Sequence, residues 1–107
     1  MTEDVLKDTA MAVSAELGMT VPVTLTEDEL LQRIAGKIAE VVQQGQEPFY
    51  RLMYRLDIPE KKLNAVAGTD DVAMKVARLV YERQRAKVLT RMHFRQQADD
   101  SDPELRW

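Results

Sequence analysis

Four cations recur at four-residue steps near the C-terminal end of the chain: Arg83, Lys87, Arg91 and Arg95. On a helix that spacing puts them on one ridge, about one turn apart. Guanidinium groups so placed could track successive phosphates, a contact that weakens steeply with salt. The ridge lacks the interleaved aromatics of a single-strand binder, with only Phe94 nearby. Nucleic-acid binding is therefore the second reading of this surface, and a solvated face or one paired with acidic segments is the first.

Other residues with chemical potential are better explained by structure. The carboxylates Glu27, Asp28 and Glu29, and the pair Asp70 and Asp71, lie at expected helix starts, where capping and the helix dipole account for them. Tyr50 with Tyr54, and Arg51 with Arg55, are spaced by four and could frame an anionic pocket, yet such pairs are ordinary helix-surface neighbours. Lys61, Lys62 and Asn64 open a short element after the break at Asp57, Ile58 and Pro59. That arrangement could be scanned as a helix-turn-helix, but its turn lacks the common glycine. The single histidine, His93, lies among basic residues and is expected at the surface or an interface. Asp99, Asp100, Ser101 and Asp102 begin like a calcium loop, but the turn glycine and the terminal bidentate glutamate are missing at the required distances.

No catalytic residue, cofactor-binding residue or metal ligand is expected. There is no cysteine, so disulfides, thiolate metal sites and cysteine nucleophiles are excluded. Neither a Ser-His-Asp set nor a glycine-rich phosphate cradle stands out. Hydrophobic residues make up 45% and charged residues 31% of the 107, a globular and not a disordered composition. The first eight residues are acidic and carry no continuous apolar run, so no signal or transit peptide is expected. No stretch approaches the roughly 18 apolar residues of a membrane span. A soluble, cytoplasmic protein without a membrane partner is expected. The net charge of −3 is uneven: residues 75–95 hold seven cations and one acid, a net +6, which leaves −9 elsewhere.

Five helical elements would position these side chains. Thr2 to Leu17 reads as a first helix with a thin apolar face and little burial, stopped by Gly18. Met19 to Leu25 alternates around Pro22, but with no second strand to pair with it is expected as an extended connector. Thr26 and Glu29 form a capping box for a second helix that buries Leu30, Leu31, Ile34, Ala35, Ile38, Val41 and Val42 and ends at Gly45. Pro48 opens a third helix with Phe49, Leu52, Met53 and Leu56 inward, and Pro59 starts a short fourth that buries Leu63 and Val66. Thr69, Asp70 and Asp71 are expected to cap the longest helix, from about Val72 to Gln97.

That last helix carries the strongest hint of association. Its first half shows Val72, Val76, Leu79 and Val80, whereas Met74, Tyr81, Val88, Leu89 and Met92 form another stripe. An apolar sector that changes sides suggests a helix packed on its own chain at one end and on a second chain at the other. The alternative is a small domain that wraps both faces. The expected fold is thus all-α, a small bundle of four to five helices with a long C-terminal helix, paired as a dimer. Residues 1–25 supply a helix and connector, 26–97 the helical core and 98–107 an acidic tail in which Trp107 could dock on an apolar groove. The expected role is a non-catalytic protein-interaction module acting as a homodimer through Met74, Tyr81, Val88, Leu89 and Met92. Nucleic-acid binding through Arg83, Lys87, Arg91 and Arg95 is the alternative.

Overall fold

The computed structural model describes residues 2–22 and 25–100. Five helices follow in order: α1 (Thr2–Leu17), α2 (Glu27–Gln43), α3 (Gln46–Arg55), α4 (Glu60–Val66) and α5 (Val72–Asp100). Among the described residues there is no strand, and residues 19–22 are an irregular connector. The expected acidic tail begins inside α5, and its residues 101–107, Trp107 included, lie outside the described residues. No helix among the described residues is long and apolar enough to cross a membrane.

The helix ends show why the chain turns where it does. Thr26 caps α2: its hydroxyl accepts from the Glu29 amide at 3.2 Å and donates to Glu29 Oε1 at 3.1 Å. The capping box therefore closes between the two side chains and not on the Thr26 amide. Gly45, at φ 123°, separates α2 from α3 in a backbone conformation that favours glycine. Pro48 then sits in the first turn of α3, where an amide hydrogen would have no helical acceptor.

The break after α3 has a more specific cause than Pro59. The Ile58 amide donates to Met53 O at 3.0 Å and the Asp57 amide to Tyr54 O at 3.1 Å, the paired bonds of a Schellman end. Asp57, at φ 60°, takes the left-handed position that glycine usually fills. Ile58 and Met53, the hydrophobic partners of that motif, are both buried. Further on, Thr69 donates its hydroxyl to Val66 O at 2.6 Å. It therefore closes α4 rather than supplying the cap expected for α5, whose first turn is bonded instead through Lys75 N to Asp71 O at 2.9 Å.

The core gathers Leu30, Leu31, Ile34 and Ile38 from α2, Leu52, Met53 and Leu56 around α3, Leu63 from α4, and Val76, Ala77, Val80 and Tyr81 from α5. Val42, expected inside, is exposed. Helix α1 is the larger departure. Val5, Thr9, Ala10, Val13 and Leu17 are all buried, so it is a core element and not a lightly attached end. Thr9 is tolerated there because its hydroxyl donates to Val5 O one turn back, leaving no orphaned donor.

Helix α5 is the spine, packed by α1, α2 and α4. Its 29 residues make about 43 Å at helical rise, most of the 51 Å long axis of the molecule. Its buried row runs Val76, Val80, Gln84, Val88, with Met92 half-buried beyond. Steps of four overshoot a 3.6-residue turn by about 40° each, so this row winds around the helix by about 160°. The first half of α5 is thus covered by its own chain on both apolar sides, Val76 and Val80 on one and Tyr81 with half-buried Met74 on the other, and beyond them the buried surface narrows to the row through Val88. Tyr81 and Val88 belong to the core of their own chain, and Met74 packs against it half-buried. That corrects the expectation of an exposed dimer stripe through Tyr81 and Val88.

Candidate functional site

Helix α1 lies along the C-terminal half of α5, and between them runs an open groove. At one end it is lined by Asp8, Met11 and Ala12 facing Val88, Arg91, Met92 and Arg95. At the other it is lined by Ala12, Ala15 and Glu16 facing Arg83, Gln84, Lys87, Thr90 and Arg91. The order reverses along the two helices, so α1 and α5 are antiparallel. All four cations of the sequence ridge fall on one wall of this groove, because their four-residue spacing follows the same winding row as the buried residues beside them. The opposite wall carries Asp8 and Glu16 with small and apolar residues between.

The ridge is divided electrostatically. Lys87 Nζ approaches Asp57 Oδ2 at 3.1 Å and Arg83 Nη2 approaches the same oxygen at 3.8 Å. Two cations thereby hold the left-handed Asp57 at the end of α3. Glu16 at the other wall is likewise engaged: Arg55 Nε lies 3.5 Å from its Oε2, and the Arg55 guanidinium donates to its carbonyl oxygen. Arg55 thus brings to the end of α1 a positive charge that α1 itself lacks in its last turn. Asp8, Arg91 and Arg95, at the far end, take part in no ion pair among the described residues. That end also carries exposed apolar surface. Met11 is 60% exposed, and Phe94, on the same side of α5 as Arg83 and Lys87, is 63% exposed.

The remaining sequence candidates are dispersed. Arg51 pairs with Glu47 at 2.8 Å and Arg55 reaches α1, while Tyr54 is 86% exposed, so these residues frame no common pocket. Tyr50 packs edge-on to Phe49, with ring centres 5.3 Å apart. His93 is exposed and lies edge-on to Phe94 at 6.1 Å. Lys61, Lys62 and Asn64 are exposed on α4, whose Leu63 anchors it to the core. Leu89 is exposed, and Met92, half-buried, lines the groove. Residues 101 and 102 of the calcium-like segment lie outside the described residues, and no group of three His, Cys, Asp or Glu that could hold a metal occurs among those described.

The Tyr81 hydroxyl donates to Glu27 Oε2 at 3.1 Å, fixing the first turn of α2 to the middle of α5. Burial, and then the hydrogen bond to and charge of Glu27, hold this phenol above its usual value. Two participants escaped the sequence reading: Asp57, whose role as partner of the ridge needs the α3 end folded, and the α1 wall. Asp57 stands immediately before Ile58-Pro59 where a glycine would close the helix. An aspartate there was the available signal.

In class, the fold and groove define a small all-α bundle with one charged, partly apolar face. Compared with family models, curated proteins and solved structures, the chain matches none.

Proposed function

We propose that this protein is a non-catalytic interaction module that works as a helical homodimer, using the open end of the α1–α5 groove. The observation that supports this reading is the coincidence of exposed Met11 in the groove, and of exposed Phe94 beside it on α5, with three charges, Asp8, Arg91 and Arg95, that no ion pair among the described residues engages. Exposed large apolar side chains bordered by free charges are the composition of a contact surface. Burying Met11 and Phe94 against a second chain gains hydrophobic free energy, and the charges set orientation. A small domain with a long spine also benefits from the additional burial.

Nucleic-acid binding fits less well. Arg83 and Lys87, half of its ridge, already share the Asp57 carboxylate, and a phosphate would have to displace it. The test of the interaction reading is molar mass in solution by light scattering, over a wide range of protein concentration. A shift from monomer to dimer mass, lost when Met11 and Phe94 are both changed to Glu, is the expected result. A monomer mass throughout would refute the homodimer.

A further inference from the structure

The groove is self-complementary in a way that selects one orientation for a second copy, an inference that rests on the homodimer reading above. Its two walls carry opposite charge at the open end: Asp8 on α1, and Arg91 with Arg95 on α5, all lining the same stretch of groove. They therefore stand at the same height along the paired helices. A second copy can be laid face to face on this surface about two directions of two-fold axis. An axis running across the helices sets α1 on α1 and α5 on α5, so that Asp8 meets an acidic wall and Arg91 a basic one. An axis running along the helices sets each α1 on the α5 of the other copy. Because this axis preserves height, each Asp8 then meets Arg91 and Arg95.

We propose that two copies associate about a two-fold axis parallel to α1 and α5, with Asp8 of each copy between Arg91 and Arg95 of the other. Like charges brought face to face disfavour the crossed arrangement, and opposite charges favour this one. The product is a four-helix cluster in which every neighbouring pair is antiparallel, since α1 and α5 are antiparallel within one chain and α5 meets the α1 of the second copy in the same sense. Met11 sits between the charges on α1, beside the small Ala12 and Ala15, so the second α5 can approach closely. Phe94 of that helix then lies where Met11 can cover it. The other end of the groove contributes less. Its charges are already engaged by Asp57 and Arg55.

Charge exchange tests the axis. Asp8→Arg places like charges across both symmetric contacts, as does the double change Arg91→Glu with Arg95→Glu. Each variant alone is expected to self-associate at least tenfold more weakly than the wild-type chain, by light scattering at matched concentrations. An equimolar mixture of the two is expected to recover the dimer mass, as a heterodimer. Circular dichroism of each variant checks that the helices persist, and recovery in the mixture could not come from unfolded chains. The proposal is overturned if either variant associates like the wild-type chain, or if the mixture stays monomeric. In those cases a dimeric wild-type chain leaves the homodimer reading standing with a different axis. A wild-type chain that is monomeric at every concentration overturns both.

Discussion

Val88→Ala separates a core residue from an interface residue. Val88 is 2% exposed within a single chain, beside α1 on the winding row of α5. Truncation removes two buried carbon groups, which at about 0.8 kcal/mol each gives about 1.6 kcal/mol, and a residual cavity raises the loss to about 2 kcal/mol. Against a total stability of about 5–15 kcal/mol that is a large fraction. A chain of this size should melt about 8 °C lower, at the shallow end of the usual 4–8 °C per kcal/mol. The assay is urea unfolding followed by circular dichroism, at two protein concentrations about a hundredfold apart, with the mutant compared with wild type at each. Because the contact is intrachain, the difference between the two proteins should be the same at both concentrations. A loss below about 0.5 kcal/mol, the range of ordinary surface changes, would refute the burial argument. So would a loss seen only where the chain associates.

Asp57 and Tyr81 give two further tests. Asp57→Gly loses only exposed ion pairs, worth about 0–1 kcal/mol, and keeps a residue suited to φ 60°. Asp57→Ala loses the same pairs but keeps the left-handed β-carbon that glycine removes, a difference of about 1–2 kcal/mol between the two variants, so by chemical denaturation the alanine variant should be the less stable; the reverse order would contradict the Schellman assignment. For Tyr81, the folded state favours the neutral phenol because of burial and then Glu27, so its value lies above the usual 10.0. Its contribution to stability is therefore whole below pH 10 and is lost as pH rises through the higher folded value. Between about pH 8 and pH 11 the wild-type melting temperature should fall further than that of Tyr81→Phe, whose ring cannot ionise; equal falls would mean that the phenol is not held by this contact.

The starts of α2, α3 and α4 were legible because each carries its own punctuation. Thr26 with Glu29, Pro48, and Pro59 all state where a turn of helix begins, and the structure places helices there within a residue or two. The environment of each face was less legible. For α1, the pattern of Val5, Thr9, Val13 and Leu17 contains a threonine, so the stripe looked thin. A hydroxyl bonded to the preceding turn hides its polarity from the core, and only the folded helix shows that bond. For α5, the pattern shows two apolar sides but not what covers the second; only the fold brings Glu27 of α2 to the Tyr81 hydroxyl and makes that side part of the chain's own core. The groove was half visible. The ridge residues were identifiable from spacing, but their partner Asp57 is separated from Lys87 by 30 positions, and no local pattern reports such a pairing.

Asp57 also explains why only part of a uniform ridge remains open. Its left-handed backbone is costly for a residue with a β-carbon, and an aspartate offers in return a carboxylate that two cations of α5 can hold. Gly would close α3 with less strain but would leave Arg83 and Lys87 facing outward together with Arg91 and Arg95. The cations nearest the α3–α4 turn thus contribute to the fold, and the two beyond them, beside Met11 and Asp8, take part in no ion pair among the described residues. A surface meant to grip a long polyanion gains from every cation along it. A surface that meets a second folded chain needs only a few charges, placed so that one orientation is favoured over the other. The division of the ridge at Lys87 suits the second logic, and in the dimer we propose the α1 wall defines the contact together with the ridge.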